Sequence, residues 1–375
     1  MVRLWRFRQL ALLSVLAVMI AGDARCPSCA LEVKTSTAVL PAPALSSPPE
    51  ADGGRITTEA LALIGASEYH AAGYRGAGVK VAVIDEAFTG LADRIAEGEL
   101  PANVVTRRFT AGGDAVETLK EDGGGHGAAC AEIIHDIAPE AQLYLVQVDS
   151  LIATLEAVLT YLRQEGVRVV SISMSTLSPA RGDGKGRTAE SATPLYPLLD
   201  AARDAGMLIV KSAGNYAQQH YRGEFNDADG DGWHEFGRSR MGIVEETLPV
   251  QLHQGKTVNL TLAWDDWGDD PLRPVASATY ELYLFDRQGV EVARSVAPRA
   301  GISAPAQRIT FTPTFDGVYT IRIRRSEPGS PSHMLEVFAI GEDAALTAHV
   351  TPAGSLGLPG DARSVLTVGA VNVST

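Results

Sequence analysis

The 375-residue chain has only three cysteines, Cys26, Cys29 and Cys130. So small and odd a number excludes a disulfide scaffold. Cys26 and Cys29 form a CxxC with no second pair, too few ligands for zinc, and are read as a local disulfide or as part of a discarded leader. Cys130 sits in an Ala-rich helical stretch and is read as a small buried filler. There is no HExxH and no cluster of His and Cys, so a metal-dependent hydrolase has no ligand set. Basic residues are in deficit, 32 Lys and Arg against 45 Asp and Glu, for a net charge of -13. Nucleic acid and anionic membranes attract clustered Lys and Arg, so neither is expected as a partner. Long apolar runs are also missing. The stretch from Leu10 to Ala21 falls short of the roughly 20 residues that span a bilayer.

What is present fits a folded secreted protein. Hydrophobic residues make up 45% and charged residues 21%, the composition of a globular chain. Arg3, Arg6 and Arg8 precede the apolar stretch, and the small residues Ala21, Gly22 and Ala24 follow it. That order reads as a signal peptide over 1–24 and implies a secreted or periplasmic protein with no other membrane attachment. Residues 25–55, rich in Ala, Pro and Ser, read as a linker or pro-segment.

From 56 to 221 strand and helix signals alternate. KVAVID (80–85), AQLYLVQV (141–148), VRVVSISM (167–174) and MLIVKSAG (207–214) are short apolar runs. Helical spacing covers 127–137, 151–164 and about 195–205. Strands alternating with helices predict an α/β fold, a parallel sheet with helices on both faces. Ligand sites in such sheets lie at the carboxyl ends of the strands, where Asp85, Ser173 and Asn215 fall. From 222 to 345 the texture changes to alternating apolar and polar residues broken by Gly, Pro and Asp, as in TVNLTLAWDD and VYTIRIRR. This predicts an inserted all-β sandwich, jelly-roll-like. SVLTVGAV (364–371) returns to the buried-strand texture, so 346–375 is assigned to the parent sheet.

Three residues stand out chemically. Taken singly, Asp85 reads as a cap, His126 as part of a glycine-rich solvated loop, and Asn215 as a turn residue. Together they offer a reaction. A buried carboxylate needs a hydrogen-bonding partner, and a histidine so oriented can take a proton from a hydroxyl. An asparagine amide at a strand end can donate to a developing oxyanion.

In order and context the chain resembles the subtilase family of subtilisin-like serine peptidases, over about 56–221 and 346–375. KVAVIDEAF resembles the aspartate motif, and GHGAACAEIIHDIAPEAQLY the histidine motif. VVSISMS resembles the strand that flanks the substrate, with Ser173 where the family often has Asn. IVKSAGN resembles the oxyanion motif, and SVLTVGAV the strand before the serine helix. The resemblance implies that Asp85 orients His126, that His126 is the general base, and that Asn215 steadies the oxyanion. It implies a polypeptide substrate and no cofactor for catalysis. Ala128 stands where the family usually has Thr. No Gly-Thr-Ser and no G-x-S-x-G occurs, and Ser374 comes too soon after the strand to serve, so no nucleophile is assigned. The expectation is a truncated product that is inactive as given. A non-catalytic protein binding peptide or carbohydrate through the insert is the alternative.

The insert carries FNDADGDGWHEF. Asp227, Asp229 and Asp231 alternate ahead of Gly232, the D-x-D-x-D-G half of a calcium loop. Arg238 occupies the position of the bidentate Glu, which excludes a true EF-hand. A looser structural calcium site using Asn226 or Glu235 competes with a solvated acidic turn. Trp264 and Trp267 are read as core residues rather than a binding face. Nothing in the sequence reports an oligomeric state.

Overall fold

The computed structural model describes residues 58, 61–176, 178–296, 303–327, 329 and 331–370. The expectations for the signal peptide, the linker, Cys26, Cys29 and Ser374 lie outside the described residues.

The parent domain runs α1 (Ala66–Ala71), β1 (Lys80–Asp85), α2 (Leu91–Ala96), β2 (Val105–Phe109), β3 (Ala115–Val116) and α3 (His126–Ile137). It continues with β4 (Gln142–Val148), α4 (Leu151–Gln164), β5 (Val169–Ile172), α5 (Leu195–Asp204) and β6 (Leu208–Ser212). The insert holds β7 (His220–Glu224), β8 (Gly237–Arg238), β9 (Val244–Glu245), β10 (Leu248–Leu252), β11 (Val258–Trp264) and β12 (Tyr280–Phe285). It ends with β13 (Glu291–Ser295), β14 (Ala306–Phe311), β15 (Gly317–Arg325), β16 (Met334–Gly341) and β17 (Ala345–Leu346), after which β18 (Val365–Val368) follows.

β18 rejoins the parent sheet, whose strand order is β18-β6-β5-β1-β4-β2-β3. Every pairing in it is parallel except that of β3, which runs antiparallel on the edge. The apolar runs are continuous because both faces are covered. In β1, Val81 and Val83 pack toward α3, while Ala82 and Ile84 pack toward α4 and α5. β4 divides likewise, Leu143 and Leu145 against Tyr144, Val146 and Val148. At its start α4 is capped by Ser150, whose Oγ accepts from the Ala153 N–H at 3.4 Å.

The insert is a β-sandwich. One sheet has the order β13-β12-β15-β10-β17 and the other β14-β11-β16-β7. Leu260, Leu262, Leu282, Leu284, Ile321 and Val337 from both sheets share one core. The sandwich begins at His220, opposite Phe338, and ends at Leu346, slightly wider than the 222–345 drawn from the change in texture. Both Trp264 and Trp267 are buried, so neither forms an exposed binding face. Polar ties hold the insert to the parent domain. Arg181 Nη1 donates to the Gly268 carbonyl at 2.7 Å, Arg187 Nε to the Leu272 carbonyl at 2.7 Å, and Arg308 pairs with Glu190 at 2.7 Å. No helix among the described residues is long and apolar enough to cross a membrane.

The sandwich has its own core, so calorimetry is expected to separate it from the parent sheet. Leu145→Ala and Leu282→Ala, both at fully buried positions, should each cost about 2–5 kcal/mol and lower different transitions. A single transition lowered equally by both would show that the two cores melt as one.

Candidate active site

Asp85 is the last residue of β1 and lies on the α3 side of the strand by the same alternation as Val81 and Val83. Its side chain is buried, 5% exposed. Oδ1 accepts from the Glu86 N–H at 2.9 Å, and Oδ2 lies 2.6 Å from Nδ1 of His126. His126 is the first residue of α3, so the helix start presents the ring to the strand end. The approach is possible because residue 127 is glycine. A Cβ there would sit 2.7 Å from the Ala87 carbonyl oxygen and 2.7 Å from Asp85 Cβ. Instead the Gly127 N–H donates to that carbonyl at 2.9 Å. Gln147, opposite Asp85 in β4, steadies the same corner by donating to the Glu86 carbonyl at 2.9 Å.

The pair leaves Nε2 as the working nitrogen, with the side chain about one-third exposed. When the ring is neutral, the tautomer that donates from Nδ1 to the carboxylate leaves a lone pair on Nε2, the state a general base requires. Cys130, one helical turn on, places its Sγ 3.9 Å from Nε2. It is buried, as a filler would be, and it also touches the histidine, which its small size gave no reason to expect.

The hydrogen bond that the ring donates to Asp85 pushes the imidazole pKa up, Cys130 adds to this, and burial opposes both. The result is a pKa raised to about 10. A histidine raised in the fold stabilises it when protonated. That contribution is complete below an ordinary pKa of about 6.5 and is lost as pH climbs through about 10. Asp85→Asn should therefore move the ring titration, followed by NMR, down by more than one pH unit. An unmoved titration would remove the carboxylate as the cause.

Asn215 is exposed, three residues past β6. It stands at the same carboxyl edge of the sheet, with β5 between its strand and β1. The structure joins Asp85 and His126 directly and leaves Asn215 apart from them along that edge. Ser173, just past β5, has a buried Oγ without a hydrogen-bond partner. A cleft of about 230 Å³ lies between the insert and the parent loops, lined by Trp267, Phe338 and Leu358 among others. Neither Asp85 nor His126 lines it.

The sequence reading passed over Lys211. It is fully buried in β6, with Nζ donating to Ser175 Oγ at 2.8 Å, to Ser212 Oγ at 3.1 Å and to the Ser212 carbonyl. Burial lowers its pKa to about 8. Between about 8 and 10.5 the unfolded chain binds the extra proton, so stability rises with pH over that window and the penalty is full below it. Relative to the wild type, Lys211→Met should be more favourable at pH 7 than at pH 10.5 by about 3 kcal/mol. A pH-independent difference between the two proteins would refute the buried-charge account.

The fold is an α/β sheet covered on both faces, and the site is an Asp–His pair at its strand ends. Residues 76–232 match the family model Peptidase_S8, Subtilase family. Subtilisin DY of Bacillus licheniformis is 30% identical over 169 residues, which cover 41% of this chain and 54% of that protein. The matched stretch thus spans about half the length of the relative. Among solved structures, the Clostridium perfringens CspB protease is similar with a TM-score of 0.47 and 14% identity, over 82% of this chain and 72% of that one.

Proposed function

We propose that this protein is a secreted serine-type endopeptidase that hydrolyses peptide bonds by acyl transfer. The observation that carries the proposal is the 2.6 Å contact between Asp85 Oδ2 and His126 Nδ1 at the carboxyl end of β1. In this reading Asp85 fixes the ring tautomer and balances the imidazolium charge. His126 Nε2 removes the proton from an attacking serine hydroxyl and later delivers it to the leaving amine. The Asn215 amide donates to the oxyanion that forms on the substrate carbonyl. The match to the subtilase family model over 76–232 supports these roles. No Gly-Thr-Ser occurs in residues 1–375, so the proposal names no nucleophile among them.

Two preparations test the reading. Residues 1–375 alone should leave a chromogenic peptide intact and take up no fluorophosphonate. The same residues joined to a Gly-Thr-Ser helix from a subtilase should cleave the peptide. In that joined protein His126→Ala should lower kcat/KM by about 10⁴-fold or more. Cleavage that survives His126→Ala would overturn the assignment.

A further inference from the structure

The acidic loop between β7 and β8 has no part in the proposed reaction, and its side chains are arranged around a common point. Asp227, Asp229 and Asp231 each bring a carboxylate oxygen within 4.8 Å of the others. One oxygen of each is held by backbone. Asp227 Oδ2 accepts from the Gly232 N–H at 3.2 Å, Asp229 Oδ1 from Asp231 at 3.3 Å, and Asp231 Oδ1 from Trp233 at 2.9 Å. These bonds fix the carboxylates without using their second oxygens.

The observation that singles this loop out from an ordinary acidic turn is Asp227. Its side chain is only 5% exposed, and its Oδ1 is buried without a hydrogen-bond partner. A buried carboxylate oxygen left unpaired costs free energy that water repays in an exposed turn but not here. Arg325 answers part of the charge, its Nη2 standing 3.6 Å from Oδ2. A cation shared with the neighbouring carboxylates of Asp229 and Asp231 would satisfy Oδ1. We infer that this loop binds one calcium ion, held by single oxygens of Asp227, Asp229 and Asp231.

Calcium fits better than magnesium. It accepts an irregular shell of carboxylate, backbone carbonyl and water oxygens, whereas magnesium demands a near-ideal octahedron and keeps most of its water. Both carboxylate oxygens of Glu235 are already engaged, which keeps it out of the shell. Asn226 Nδ2 donates to Glu235 Oε2 at 3.0 Å, and Glu235 Oε1 accepts from the Ala228 N–H at 2.9 Å. They brace the loop from behind. With Asp229 and Asp231 exposed and Arg325 nearby, affinity should be that of weak extracellular modules, a Kd of about 10⁻⁴–10⁻³ M. The ion would be structural. The loop is already sewn to β15, since the Arg325 N–H donates to the Gly232 carbonyl at 2.9 Å and His234 to the Ile323 carbonyl at 2.9 Å. Holding the loop therefore holds that strand.

The test uses the whole chain, calcium chloride and magnesium chloride at matched ionic strength, and the double variant Asp229→Asn/Asp231→Asn. Asparagine keeps the oxygen that each backbone N–H needs, so the variant should melt like the wild type in EDTA. Calcium at about 10 mM should raise the wild-type melting temperature by several degrees and slow hydrogen exchange across 227–233. Magnesium should do neither, and the variant should respond to neither ion. Any of three results would overturn the inference: no calcium-specific rise, an equal response to magnesium, or a rise in the variant equal to that of the wild type. The exchange measurement on the wild type decides the matter even if the variant fails to fold, because unchanged protection at 227–233 also rules the site out.

Discussion

The architecture of the site depends on how closely the start of α3 can approach the end of β1. A hydrogen at residue 127, where any other residue carries carbon, lets the helix backbone donate to the Ala87 carbonyl at 2.9 Å. That seating carries His126 onto Asp85. A buried carboxylate needs hydrogen-bonding partners, and Asp85 has them in the backbone of residue 86 and in the ring. Packing and charge thus reinforce each other at one corner, and the polarity of the parallel sheet decides that this corner is an open strand end.

The same two-faced burial explains which parts of the fold were readable. β1, β4, β5 and β6 announce themselves because each must offer apolar side chains to helices above and below. β2 was passed over, and the reason is physical. Its VTRRF sequence carries arginines that a sheet edge can accommodate: Arg107 lies over the Tyr161 ring at 5.2 Å, and Arg108 pairs with Asp149 at 3.0 Å. Local pattern cannot foresee partners supplied by α4 and by the end of β4. In the insert, β11, β12, β14 and β15 show clean alternation, while β7, with His220, Arg222 and Glu224 on its polar positions, does not read as a strand until β16 lies beside it.

The site was legible to a similar degree. Asp85 and His126 were visible as residue types in telling contexts, and the contact across 41 positions is what the fold adds. Cys130 beneath the ring and Lys211 under Ser175 carried little signal, since a cysteine in a helix and a lysine in an apolar run have many ordinary explanations. Their surroundings are set by elements distant in sequence. The free oxygen of Asp227 is a third case. Spacing suggests the loop, but only burial distinguishes an unsatisfied carboxylate from a hydrated one.

One feature of the connectivity bears on how the chain assembles. β6 and β18 are neighbours, Ile209 opposite Val365, yet roughly 150 residues of chain separate them, a closure whose entropic cost grows only slowly with length. If the sandwich forms first, its two ends emerge close together and the long excursion behaves as a short tether. The last strand would then dock quickly onto a waiting edge. If it forms late, that edge stays open to other chains while the ribosome product waits. Assembly order in this protein is thus tied to the speed of its β module, whose own strands pair across long stretches of chain, as Tyr221 does with Val337.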